Sequence, residues 1–285
     1  MPHPSELPVH THISADSRRP SLHLRELARY RDLIRLFTRR TFTVSYKQTI
    51  LGPLWLFINP LLTCLVQVIL FGRIAKLSTE GVPQLLFYLT GNALWVYFSS
   101  CVTETASTFT SNAHLFGKVW FPRMTVPVSR VLYALARFGI QMTLVLVLLI
   151  IYAIVGRVRP VLWVWLLLPL ILAELGLLGM GIGVLISSLT TKYRDLSVLV
   201  GFGMHLWMYA TPVVYPLSAV ADGPIRALLL CNPVTPAMEL FRYAVLGTGT
   251  ILPLPGLISC VVTLAAAIGG MLLFDRVERC FTDTV

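Results

Sequence analysis

Four ionisable side chains stand inside or beside long apolar stretches of this sequence: Glu174, His205, Arg130 and Arg137. Ionising a carboxyl at the centre of a bilayer costs at least about 2.5 kcal/mol, so Glu174 has to face a bundle interior or water. Two chemistries suit it. It is either a pathway or proton-coupled group, or a carboxyl near the outer end of a tilted helix, hydrogen-bonded to a neighbour. His205 has no second titratable group beside it and reads as a histidine satisfied in the interior rather than a proton switch. Arg130 and Arg137, seven residues apart, share one helix face, and their long stems let both snorkel to the inner membrane surface.

Other chemistry is missing. There is no G-x-x-x-x-G-K-S/T phosphate loop, no H-E-x-x-H, no G-x-S-x-G and no pair of carboxylates at one depth. A membrane transferase would cluster acidic or histidine groups at one face, and none is apparent. The five cysteines include no C-x-x-C pair, so neither a disulfide framework nor a zinc site is indicated. The chain is therefore expected not to be an enzyme, with no catalytic, cofactor or metal site of its own. Any nucleotide-driven work needs another chain.

The composition explains where such residues must sit. Of 285 residues 56% are hydrophobic and 13% charged, and the mean hydropathy is +0.76, which describes a polytopic membrane protein. The net charge of +10 follows membrane topology and does not call for nucleic acid. Taking about 20 apolar residues per crossing, spans fall near 53–72, 82–103, 129–156, 161–190, 196–217 and 251–274. Six crossings put both ends on one side. Counting only the last twenty residues before the first span, that side carries 12 Lys and Arg against 6 in the other loops, so both termini are expected to be cytoplasmic.

Between the second and third spans lies a basic, aromatic island, His114 to Arg123. Gly117 and Pro122 make a sharp turn there natural. Phe116, Trp120 and Phe121 are large apolar groups at an expected water-facing turn, where they need a partner to cover them. A membrane-interface belt is the other account of them.

Ahead of the spans, residues 1–20 read as a disordered lead-in and 21–52 as an amphipathic interface helix with its linker, leaving 53–285 for the transmembrane domain. Leu27, Tyr30, Ile34, Phe37 and Thr41 recur on one side of that helix. Arg35, Arg39, Arg40 and Lys47 are its membrane-interface cations, suited to lipid phosphates; a helix packed on a protein partner is the alternative. The fourth span contains Pro169 and a glycine run in which Gly179 and Gly183 mark close helix contact. After the fifth, residues 221–249 suit two short helices broken at Asn232-Pro233 and Pro236, dipping into the outer half of the membrane. Tyr88, Trp95, Phe98, Trp207 and Tyr209 belong either to an aromatic belt or to a channel wall on which sugar rings slide.

Several stretches resemble a known family: Tyr46 to Trp55 (YKQTILGPLW) with Pro60, Phe71-Gly72, Gly91 to Trp95, Asn112 with Lys118 to Arg123 (KVWFPR), Lys192 to Asp195 (KYRD), Asn232-Pro233 and Phe241-Arg242. In order, they resemble the permease subunits of type-2 ABC exporters of lipid-linked polysaccharide, most closely the O-antigen permeases, over residues 28 to 275. The resemblance implies an all-α fold of six transmembrane helices with an amino-terminal amphipathic helix at 22–41 and re-entrant outer helices at 222–246. It implies a homodimer in the bacterial inner membrane, two copies of a separate ATP-binding subunit, and an undecaprenyl-linked glycan as cargo. It also implies a coupling helix within 104–123, with Ser107, Asn112, Leu115, Phe116 and Lys118 as contacts to the ATPase. A permease for a drug, small lipid, teichoic acid or capsule is the alternative within the same superfamily.

Overall fold

The structure is a computed structural model that describes residues 27, 29–47, 49–116, 121–190 and 195–282. The expected lead-in over 1–20 lies outside them, as do Gly117, Lys118 and Trp120. Among the described residues all regular structure is helical. In chain order the elements are α1 (Arg31–Tyr46), α2 (Gly52–Ile74), α3 (Gln84–Ala106), α4 (Thr108–Phe116) and α5 (Thr125–Ile154). They continue with α6 (Leu162–Thr190), α7 (Leu196–Tyr209), α8 (Pro224–Cys231), α9 (Val234–Leu246) and α10 (Pro253–Thr282).

Five of these, α2, α3, α5, α6 and α10, are long and apolar enough to cross a membrane, which makes the chain a multi-pass membrane protein. The expected fifth span is shorter than its apolar run: α7 has 14 residues, ~21 Å of helix against a hydrocarbon core of about 30 Å. Pro212 and Pro216 account for this, since neither can supply the N–H that a continuing helix needs. Residues 210–216 turn instead. The long fourth span begins, as an interfacial elbow would, with a 3-10 turn over Leu162–Leu167 before the regular helix from Leu168.

α3 is the centre of the bundle. Of its most apolar window 78% is buried, against 17% for α2. A helix apolar on all sides belongs inside, and α3 is walled by α5 and α6. Small residues let α6 approach. A Cβ at Gly179 would stand 2.6 Å from the Cys101 Cβ, and one at Gly183 would stand 2.5 Å from the Val102 carbonyl oxygen and collide with the Thr105 hydroxyl. Gly181 turns the other way, onto the Ala266–Ala267 backbone of α10 at 2.7 Å. The glycine run is therefore two interleaved contact stripes. Gly183→Val puts a branched side chain against backbone that has no freedom to retreat. It is expected to cost at least the ~1–3 kcal/mol of ordinary overpacking, seen as a lower melting temperature and lower membrane abundance than for Gly139→Val, where a Cβ meets open space.

Candidate functional site

At one end of the bundle α3 passes into the short helix α4 across Ser107. Phe109, 1% exposed, anchors its base: the ring stacks on Phe274 of α10 with centroids 4.5 Å apart, and its N–H donates to the Ser187 hydroxyl of α6 at 3.2 Å. Asn112 bonds back to the Thr108 carbonyl oxygen at 2.9 Å. Thr110 and Ser111 face outward. Of the expected coupling residues, Ser107 and Asn112 are half-buried on α4 or its junction, and Leu115 and Phe116 lie in its last turn.

Phe121 departs from expectation. It is buried against Phe37 of α1, edge-on at 5.7 Å, in a cluster with Phe109, Val126, Val184 and Phe274. This aromatic is covered by the chain's own amphipathic helix, not by a partner. α1 correspondingly packs on α5, with Thr38 Oγ1 donating to the Ser129 carbonyl oxygen at 3.2 Å, Phe42 on Tyr133 at 6.2 Å, and Arg35, Arg39, Arg40 and Lys47 left exposed. The Tyr46 phenol at its end is pushed up to about 12, by burial first and then by its hydrogen bond with Tyr133.

Arg130 and Arg137 have a partner that their spacing does not announce, while both stay part-exposed. Both turn onto Glu104 near the end of α3, with N–O distances of 3.8 and 3.7 Å.

At the opposite end, α8 and α9 form the expected pair of short helices, broken at Asn232-Pro233. Pro236 does not break α9. It occupies the first turn, where the missing N–H has no intrahelical partner to lose. Asn232 ties the hairpin to α7: it accepts from the Trp207 indole N–H at 3.1 Å and donates to the Ala210 carbonyl oxygen and the Thr211 hydroxyl, both at 2.8 Å. Arg242, completely buried, donates to the carbonyl oxygens of Val213 at 2.6 Å and Tyr215 at 3.1 Å, lies 4.2 Å from the Phe87 ring centroid, and has Glu239 at 3.6 Å. In the sequence Arg242 stands out only as half of the Phe241-Arg242 motif. Its signal is an arginine in an otherwise apolar segment with a glutamate one turn earlier.

Glu174 is hydrogen-bonded to a neighbouring helix. The Ser259 hydroxyl of α10 lies 2.5 Å from Glu174 Oε1 and 2.6 Å from the Pro233 carbonyl oxygen. One hydroxyl proton serves one acceptor at a time, so Ser259 donates either to Glu174 Oε1 or to the Pro233 carbonyl oxygen. Glu174→Gln keeps an acceptor at that point and is expected to leave abundance and transport within about twofold of wild type. Ser259→Ala cuts both bonds and should lower stability by about 1–2 kcal/mol; transport assays with immunoblotting separate the two effects.

Tyr88, Trp95 and Phe98 are packed inside the subunit, with Phe98 edge-on to Trp207 at 5.2 Å. Tyr209 is exposed on α7. His205 is exposed there too, contrary to the expectation of an interior histidine.

The described residues thus form a bundle of membrane-crossing helices with a short helix at one end and a proline-broken hairpin at the other. The chain belongs to the ABC-2 type transporter family, which matches residues 32–246. It is 32% identical over 220 residues to the O-antigen export system permease protein RfbA of Myxococcus xanthus, covering 77% of this chain and 82% of that one. Two Klebsiella pneumoniae proteins of the same name are 29% and 27% identical, each over 88% of this chain and 94% of theirs.

Proposed function

We propose that this chain is the transmembrane subunit of an ATP-driven exporter moving undecaprenyl-linked polysaccharide of the O-antigen type across the bacterial inner membrane. The observation that carries the reading is the similarity to O-antigen export permeases over 88% of this chain and 94% of the Klebsiella relatives. Two copies form the pathway, and each recruits an ATP-binding subunit, which holds ATP and magnesium.

Both termini are cytoplasmic, as the basic-residue asymmetry favours, so α4 faces the ATPase and the α8–α9 hairpin lines the outer mouth. The sixth crossing is α7 completed by the turn at 210–216. Phe202, His205 and Tyr209 share an exposed face of α7, and α2 is exposed along Leu62, Leu65, Val66 and Ile69. The exposed α2 face lies toward the bilayer, and the α7 face meets the second copy and the cargo. Aromatic and imidazole groups there offer ring faces and hydrogen bonds at repeated weak sites, which a sliding sugar polymer needs. Ser107 and Asn112, with Leu115, Phe116 and Lys118, form the α4 side of the ATPase contact.

Force on α4 reaches the outer hairpin through buried contacts. Phe109 bears on Phe274 and Ser187, the glycine stripes lock α3, α6 and α10, and Ser259 of α10 bridges Glu174 and Pro233.

Deleting the gene and complementing it tests the reading. The expected result is loss of long-chain polysaccharide from the cell surface with lipid-linked polymer accumulating inside, restored by wild type. Surface polysaccharide unchanged on deletion would overturn it.

A further inference from the structure

A cavity of about 210 Å³ lies between the end of α1 and the helices α2, α3 and α5. That is more than ten times the ~15 Å³ that admits one water. Leu56, Leu89 and Val96 contribute to a wall that is mostly apolar, into which Asn59, Asn92, Gln141 and Arg137, with Tyr46 and Trp55, bring polar groups. Asn92 is engaged by Gln67. The side-chain amides of Asn59 and Gln141 have no protein partner among the described residues. Asn59, Trp55 and Thr63 are exposed on α2, so the cavity opens sideways through the flank of the bundle and not along its axis.

The charge there does not balance. Arg130 and Arg137 share the single carboxylate of Glu104 at 3.8 and 3.7 Å, both beyond hydrogen-bond length. The Arg137 Nε is buried and bonded to nothing. Among the described residues this leaves two cations to one anion beside a cavity at membrane depth, where unpaired charge is costly.

We infer that this cavity receives the phosphate of a lipid headgroup from the leaflet at the α4 end, with Arg137 as its cation and the amides of Asn59 and Gln141 as its donors. A guanidinium with free N–H groups matches phosphate oxygens in geometry and charge. The sideways opening admits a headgroup while its tail stays in the bilayer. Two lipids offer this chemistry, the polyprenyl phosphate carrier of the cargo and an ordinary anionic phospholipid. The first source rests on the export reading above.

The test uses the purified permease–ATPase complex in phosphatidylcholine nanodiscs, titrated with undecaprenyl phosphate or phosphatidylglycerol and read by native mass spectrometry. Arg137→Gln is expected to weaken binding of the preferred lipid about tenfold, while Arg137→Lys, which keeps the charge, weakens it less. Thr63→Phe fills the cavity from an exposed position without touching the ion cluster and should weaken it comparably. Preference for undecaprenyl phosphate assigns the site to the carrier, and equal competition by phosphatidylglycerol assigns it to bulk anionic lipid. Undiminished binding of both lipids by Arg137→Gln and Thr63→Phe, at normal abundance, overturns the site. If deletion abolishes surface polysaccharide while both variants bind and export normally, the cavity proposal alone fails; if deletion changes nothing, the export reading fails whatever the binding shows.

Discussion

Replacing Arg242 with methionine is expected to destabilise the permease by about 3–5 kcal/mol, the usual cost of removing one partner from a buried ion pair. The side chain is completely buried and has two backbone carbonyl oxygens as acceptors, at 2.6 and 3.1 Å. Its loss leaves those oxygens unsatisfied and Glu239, 1% exposed, without its cation. Glu239 retains the Thr250 N–H at 3.1 Å and the Thr250 hydroxyl at 3.3 Å, too little to solvate a charge. Adding Glu239→Gln should therefore recover part of the loss, and the double-mutant cycle, read from melting in detergent or from membrane abundance, measures the coupling. A double variant that is the sum of the singles would show that Arg242 acts through the carbonyl oxygens alone. Export should suffer beyond the loss of abundance, because the 211–215 segment that Arg242 holds joins α7 to the α8–α9 hairpin.

That segment also marks where the sequence stops being readable. The short helices α8 and α9 were legible because Asn232-Pro233 sits between apolar runs too short to cross a bilayer, and Gly179 and Gly183 because a small residue every fourth position has one common use in a membrane helix. The direction of each glycine was not legible, since Gly181 serves a different neighbour from Gly179 and Gly183. Burial of aromatics was illegible for a related reason. Belt, channel wall and core all favour aromatics in apolar runs, and only the central place of α3 puts Tyr88, Trp95 and Phe98 inside. Phe121 and the two arginines needed long-range partners, Phe37 and Glu104, which no local spacing announces.

These long-range partners change what the short helix at the α4 end can do. Had Phe121 been free for an outside partner, the elbow would present a flexible aromatic loop. Covered by Phe37 and joined to Phe109, Phe274 and Val184, it is instead the cap of a small hydrophobic core shared by α1, α4, α6 and α10. A displacement of α4 then moves packed helices and not a loop, because close-packed interiors transmit strain.

Phe109→Ala is expected to separate ATP hydrolysis from export. The ring is 1% exposed and stacked on Phe274 at 4.5 Å, so truncation opens a cavity and costs about 3–5 kcal/mol of local stability. The outward residues Thr110 and Ser111, which face the proposed ATPase contact, are untouched. Recruitment of the ATPase should persist and its basal turnover stay near wild type, while polysaccharide exported per molecule of permease falls at least tenfold. Phe109→Leu, which keeps much of the volume, should restore most of that export. A bulky charge at the neighbouring exposed position, Ser111→Arg, should do the opposite, leaving the permease stable and abolishing copurification of the ATPase. Quantitative immunoblotting, copurification and surface-polysaccharide staining on the same membranes distinguish the outcomes. If Phe109→Ala lowers abundance but leaves export per folded permease unchanged, the stack with Phe274 is a stability contact only, and motion of the ATPase enters the membrane by another route.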